Sequence, residues 1–346
     1  MPAIHKLMLV IAISTGFIRS GQAQDRRDDQ FYFPGAFNWH FLHDYPEAAR
    51  LFNAFDYGHA ILYERLYSGN GGALDHDFTY LTTDLLVHPP RFAVAEEAVA
   101  PTYTRMAWRA KQMFDWAHLL HRQIYDVYAD DDIAPLAKDS LIERLTDYYL
   151  TRREYAFAPS PKSMELMDGQ PFSKVFRHAY PRFNGLIWAY HWLQVGLYDA
   201  LITGGTHAEK VAAVHETVGR FWLMLRQPPG KFPSMMPMTV AIAPEFSRRH
   251  PRAAAIFDNL HMTHDIISDI LAANTIPRDR KRAMIYAQLE IMRDPVRQVV
   301  SWDEARAMTE MMGGVSEMGG PATGYPNVRR PSPAMPADSA HPRRPR

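Results

Sequence analysis

The sequence contains no cysteine. That absence excludes disulfide scaffolds, thiolate metal sites, iron–sulfur clusters, covalently attached c-type haem and cysteine nucleophiles. An excess of either charge is also missing, since 38 Lys and Arg balance 38 Asp and Glu over 346 residues. A dedicated nucleic-acid binder is normally basic, so nucleic acid is not an expected partner. After the first residues no apolar run reaches the roughly 18 residues of a membrane span, so the mature chain is expected to have no transmembrane segment. Familiar catalytic signatures are lacking too. His215-Glu216 is followed by Thr217-Val218-Gly219, which breaks a His-Glu-x-x-His zinc motif. The Glu-x-x-His pair of di-iron bundles, a Gly-x-Ser-x-Gly elbow and a phosphate loop are likewise missing.

The two ends read as something other than fold. His5 and Lys6 precede an apolar stretch of eleven residues, Leu7 to Phe17, and Gly21-Gln22-Ala23 offers small residues before Gln24. This is the pattern of a cleaved export signal over residues 1–23, so the mature protein is expected to be periplasmic or secreted. From Gly313 to Arg346 there are seven prolines in 34 residues, five arginines and almost no large apolar side chains. Such a segment buries too little surface to offset its ordering entropy, and we read 313–346 as a disordered tail.

Between these ends, 24–312 reads as one all-helical domain. The chain as a whole is 47% hydrophobic, with 18 Phe, 17 Tyr and 7 Trp, ample for a sizeable core. Apolar residues recur at helical spacing and alternating β-branched runs are scarce. The spacing predicts helices at Pro46–Tyr67, Thr102–Ala129, Leu136–Tyr155, Phe183–Thr203, Ala208–Leu225, Ala253–Ala273 and Arg278–Arg293, divided by Pro and Gly clusters such as 68–72 and 226–233. No linker-like composition break divides them, so a single multi-helix bundle is expected.

One short pattern occurs three times: Phe55-Asp56-x-x-His59, Phe114-Asp115-x-x-His118 and Phe257-Asp258-x-x-His261. Two copies continue in step, because Asp115, His118, His121 and Asp126 repeat the spacing of Asp258, His261, His264 and Asp269. Residues three apart share a helical face, which is how bundles project metal ligands inward. On a helical wheel Asp56 and His59 border the apolar face of their helix, and a buried carboxylate beside a histidine must be paired, protonated or metal-bound. In 183–203, Asn184, His191, Gln194 and Tyr198 form a polar stripe on an otherwise apolar helix, which a core hydrogen-bond network would also explain. The helix of His118 carries Lys111 and Arg122 on its polar face and suits a solvated surface. The helix of His261 has three aspartates on one side with no Lys to balance them. His40 and His43 lie just before the first helix, and Asp75-His76-Asp77 reads as a surface turn.

The candidate metal ligands are therefore Asp56, His59, Asp115, His118, His121, His191, Asp258, His261, His264 and Asp269, with some of the carboxylates acting behind the histidines. Imidazole and carboxylate without thiolate suit Fe, Mn, Zn or Cu(II), with Fe first. Tyr63, Tyr125, Tyr190 and Tyr198 are candidate proton donors, while Trp116, Trp188 and Trp192 suit an aromatic core or a cavity wall. The reading is an exported helical metalloprotein, an oxidoreductase on a small or apolar substrate; neither that substrate nor a redox partner is named by the residues. Two alternatives stay open. One is non-covalent b-type haem between facing histidines such as His59, His118, His191 and His261. The other is a non-enzymatic metal carrier or partner-binding scaffold, in which Met235, Met236, Met238, Met308, Met311, Met312 and Met318 offer soft thioethers.

Overall fold

A computed structural model describes residues 39–93, 95–226 and 232–324. The export signal read at 1–23 and the last part of the tail, 325–346, lie outside the described residues. Among the described residues there is no β-strand, only an isolated bridge between Lys162 and Val299. Seven helices of sixteen residues or more among the described residues carry the architecture: α1 Pro46–Tyr67, α2 Trp108–Ala129, α3 Pro135–Thr151, α4 Pro181–Thr203, α5 His207–Arg226, α6 Pro251–Ala272 and α7 Arg278–Arg293. Helices α1, α2, α4 and α6 pack together as a central bundle, with α3 against α2, α5 against α4 and α7 against α6. Every residue of α4 from Phe183 to Leu201 is buried, as a helix apolar on all sides requires.

The four central helices are built alike. Each follows a short helix (His40–Asp44, Pro101–Met106, Val175–Ala179 or Pro244–Arg249) across a single break residue. Those breaks, at Tyr45, Ala107, Tyr180 and His250, share φ between −134° and −123° and ψ between 44° and 61°. Proline follows three of them, at Pro46, Pro181 and Pro251, where its missing N–H costs nothing and its ring keeps the preceding residue out of helical geometry. Trp108 takes that place in α2, so the helix expected from Thr102 to Ala129 is interrupted at Ala107.

Eighteen residues after its first residue, each central helix presents a carboxylate: Glu64, Asp126, Asp199 and Asp269. Each accepts two backbone N–H groups at the start of a short helix, satisfying donors that have no intrahelical partner. Glu64 takes Thr102 N (3.0 Å) and Tyr103 N (2.9 Å), and Asp126 takes Trp39 N and Phe41 N (both 2.9 Å). Asp199 takes Glu245 N (3.1 Å) and Phe246 N (2.8 Å), and Asp269 takes Lys174 N and Phe176 N (both 2.8 Å). The clamps are reciprocal within two pairs, α1 with α2 and α4 with α6. Aromatic pairs pack beside three of them: Tyr63–Tyr103 at 4.7 Å and Phe41–Tyr125 at 4.8 Å, both tilted, and Tyr198–Phe246 stacked at 3.9 Å. A further parallel joins the two halves. Lys138 near the start of α3 donates to the Tyr128 carbonyl (2.8 Å), and Lys281 near the start of α7 donates to the Leu271 and Ala273 carbonyls. The chain thus reads as a tandem pair of units, each with two break-and-helix segments.

The stretch read as tail begins inside the fold. Gly314–Glu317 is a helical turn and Met318 is buried. Trp192 Nε1 donates to the Gly320 carbonyl (2.7 Å), Arg220 to that of Gly319 (3.1 Å) and Thr217 Oγ1 to that of Ala322 (3.2 Å). Gly319 and Gly320 have φ of 102° and 85°, so these glycines supply left-handed backbone for a turn that lies on the bundle.

Candidate functional site

Ten and thirteen residues after its first residue, each central helix turns a polar pair inward: Asp56 and His59 on α1, His118 and His121 on α2, His191 and Gln194 on α4, His261 and His264 on α6. One spacing on four similarly built helices places these eight side chains at a common level. All eight are at most 5% exposed. The layer includes six histidines, and it lies where the bundle is otherwise aromatic. Phe257 stacks on His121 at 3.6 Å, Phe114 meets His264 edge-on at 4.3 Å, and Phe52 lies 5.7 Å from both His118 and His121.

Three of the histidines converge. His59 Nε2 lies 3.2 Å from His191 Nε2, which lies 3.0 Å from His264 Nδ1. The three nitrogens all lie within 4.8 Å of one another. His59 Nδ1 donates to the Phe55 carbonyl (2.9 Å), which leaves the lone pair of Nε2 facing the other rings. His191 Nε2 carries at most one proton, and so serves only one of its two neighbours as a donor.

The rest of the layer is short of partners. His118 Nε2, His121 Nε2, His191 Nδ1, His264 Nε2 and both ring nitrogens of His261 have no hydrogen-bond partner among the described residues, nor do the amide atoms of Gln194. Buried unpaired polar atoms cost about 1–3 kcal/mol each, and folded proteins carry few of them. Burial pushes His59 down to about 4, with His118 adding to the effect, and pushes His118 down to about 3, with Arg122 adding to it. Burial first, and the neighbouring histidines second, also lowers His121, His191, His261 and His264 well below the usual imidazole range. All six are neutral imidazoles at physiological pH, the form that ligates metal.

Asp56 faces a different duty from the one its spacing implies. Its Oδ2 accepts from Arg122 (2.5 Å) and its Oδ1 lies 3.4 Å from His118 Nδ1. Arg122, which reads in sequence as a mark of a solvated face, is instead the counter-ion of a buried acid on α1. His121 Nδ1 meets the Tyr198 hydroxyl at 2.5 Å and the Tyr125 hydroxyl at 3.4 Å.

Of the ten residues singled out from sequence, Asp56, His59, His118, His121, His191, His261 and His264 belong to this layer. Three carboxylates are engaged elsewhere. Asp115 is paired with Lys111, Asp258 accepts from the backbone (2.7 Å) and hydroxyl (2.6 Å) of Thr239, and Asp269 clamps Lys174 and Phe176. The Phe-Asp-x-x-His pattern itself is out of register. His118 and His261 stand ten residues into their helices, whereas His59 stands thirteen in, and the element truly shared by the four is the inward pair. Aligning the helices on their break residue brings in Gln194, which the triplet pattern misses. Asp75, His76 and Asp77 lie in a helix, Leu74–Tyr80, with buried Asp77 held by Arg65 at 2.7 and 3.0 Å. Met236, Met238 and Met318 are buried, while Met311 is exposed. Comparison of the chain with protein-family models, with curated proteins and with solved structures finds no match in any of the three.

Proposed function

We propose that this protein is a metalloprotein whose ion is held by His59, His191 and His264, and that it is an exported oxidoreductase acting on a small or apolar substrate. The convergence of those three ring nitrogens within 4.8 Å carries the reading. A set of neutral imidazoles suits copper, iron or zinc better than the oxygen-seeking ions, which moves the emphasis away from manganese. The residues fit such an ion on a second ground as well, because a cation resolves a cluster in which lone pairs face one another with too few protons to bridge them.

A bound copper or iron ion supplies one-electron redox chemistry. The chain's own residues supply the setting. The Phe55 carbonyl orients His59, and the rings of Phe114, Phe55 and Tyr190 keep water out, the latter two stacked at 4.2 Å. Tyr63, 6.2 Å from the His59 ring and 6.4 Å from that of His264, holds a proton beside the cluster. The geometry favours an ion over b-type haem. Haem held between two facing histidines needs their nitrogens aimed at opposite faces of a flat ring system, whereas here the His191 ring lies parallel to those of His59 (5.3 Å, 11°) and His261 (4.2 Å, 9°).

Elemental analysis and absorption spectra of the purified protein test this, with His191→Ala compared against His215→Ala, a change at an exposed histidine. The expected outcome is at least one equivalent of copper or iron, reduced several-fold by the first substitution and not by the second. Retention of zinc alone overturns the redox reading, a Soret band moves the case to haem, and no uptake after reconstitution leaves a helical scaffold.

A further inference from the structure

Resting on the reading above that the layer holds a redox ion, we propose that Tyr198 and His121 form a redox-active pair, in which the Tyr198 phenol gives up one electron while its proton passes to His121 Nδ1. The Tyr198 hydroxyl meets His121 Nδ1 at 2.5 Å, and both residues are fully buried. Tyr125 lies beside them with its hydroxyl 3.4 Å from the same nitrogen, but it gives its own proton to the Gln194 carbonyl. That leaves His121 Nδ1 as the acceptor of the Tyr198 proton, with the imidazole proton on Nε2. Seventeen residues after the first residue, α1, α2 and α4 each carry a tyrosine: Tyr63, Tyr125 and Tyr198. Tyr63 holds the place in α1 that Tyr198 holds in α4, yet its hydroxyl has no histidine nitrogen at hydrogen-bond distance among the described residues. A base is thus supplied to one of two equivalent tyrosines, which ordinary aromatic packing does not require.

The surroundings suit a one-electron intermediate. Phe246 stacks on Tyr198 at 3.9 Å and Phe257 on His121 at 3.6 Å, which shields both rings from water. An oxidised phenol is a far stronger acid than an imidazolium, so its proton moves to His121 even though burial makes that imidazole a weak base. The same burial returns the proton when the phenol regains its electron. Tyr198 follows His191 by seven residues on α4, about 10 Å along the helix axis. Ring contacts from Tyr198 to His121 (5.6 Å), His121 to His261 (5.8 Å) and His261 to His191 (4.2 Å) connect the pair to the cluster. A phenol yields an electron less readily than a cuprous or ferrous ion, so the step needs a strong two-electron oxidant, and the proposal assigns hydrogen peroxide. Its O–O bond breaks on taking one electron from the reduced ion and one from Tyr198, and two solvent protons complete two waters. The phenolic O–H bond breaks as well. What remains is an ion oxidised by one electron, a neutral tyrosyl radical and a His121 imidazolium.

The first arm of the test oxidises the chelator-stripped full chain with azide radicals from pulse radiolysis and follows the absorption and paramagnetic resonance of the tyrosyl radical. Wild type is expected to hold that radical at least several-fold longer than Tyr198→Phe, whereas Tyr80→Phe, a change at an exposed tyrosine, leaves the lifetime as it is. His121→Asn keeps an acceptor for the phenol but cannot hold its proton, so it should shorten the lifetime as Tyr198→Phe does. Far-UV circular dichroism checks each fold, and Tyr198→Phe, which removes a single oxygen, decides the matter where His121→Asn is unfolded. Equal lifetimes in wild type and Tyr198→Phe overturn the pair, and a lifetime unchanged in His121→Asn overturns the transfer to His121. The second arm mixes the copper-loaded, ascorbate-reduced chain with hydrogen peroxide, and the same radical is expected in wild type but not in Tyr198→Phe. A radical under azide but none with peroxide overturns the peroxide step while the pair stands. A chain that takes up no copper overturns the reading on which that step rests, and the azide arm still decides the pair.

Discussion

Asp56 and Asp269 are both carboxylates taken out of water, and their surroundings decide what each does. Asp56 meets a guanidinium and an imidazole, whereas Asp269 meets two backbone N–H groups and, among the described residues, no cation at hydrogen-bond distance. Burial pushes Asp269 up to about 6, against the lowering effect of the two N–H groups. The folded chain therefore keeps a proton that the unfolded chain releases near pH 4. The resulting contribution to stability is fully present below about pH 4 and is lost as pH rises through about 6. Asp269→Asn removes one acceptor and should cost about 1 kcal/mol at pH 5. That deficit should shrink by roughly 1–3 kcal/mol between pH 5 and 7.5, because the amide has no charge to bury. Urea unfolding of both proteins at the two pH values reads this directly, and a deficit that widens with pH would show that the ionised clamp is the favoured form. No spacing rule separates these two acids. An acid three residues from a histidine lies on that histidine's face, but the partner across the interface comes from another helix, which is why Asp115 and Asp258 read as ligands in sequence and are engaged elsewhere.

At the scale of the element, the break-and-helix segment is the unit that sets the inward pairs at one level. Pro46–Tyr67 is legible from its apolar period down to its ends, and Arg278–Arg293 equally so. The starts of α4 and α6 are less legible, because the proline at the first helical position looks like punctuation before a helix when it already belongs to it. The break before α2 has no such mark, since Trp108 stands where the other three have proline. The clamps are legible only after the helices are aligned, as Glu64, Asp126, Asp199 and Asp269 are otherwise ordinary acids near helix ends. Their pairing predicts a local effect. Asp126→Ala frees the N–H groups of Trp39 and Phe41 and should cost about 1–3 kcal/mol. Amide exchange should then quicken in His40–Asp44 while Val175–Ala179, clamped by Asp269, keeps its protection. Equal loss in both short helices would mean that the clamps work as one network.

For the whole molecule, the central layer sets stability against function. Six neutral imidazoles in an aromatic core leave ring nitrogens without partners among the described residues, so the ion-free bundle carries a penalty at its centre. An ion that binds only the folded chain stabilises it by about 2.7 kcal/mol at a hundredfold excess over its dissociation constant. His261 shows the conflict most clearly, because neither of its nitrogens is paired and it is fully buried. His261→Met keeps similar bulk, adds flexibility and removes two polar atoms from a dry site. Without metal, this variant should be more stable than wild type by about 1–2 kcal/mol. With saturating copper the gap should stay, because the variant keeps His59, His191 and His264 and both proteins gain alike from the ion. Thermal unfolding of the two proteins with chelator and with copper measures both. A variant less stable under both conditions would show that His261 is satisfied in the core by packing alone, and the layer would then be a structural network rather than a place prepared for ions.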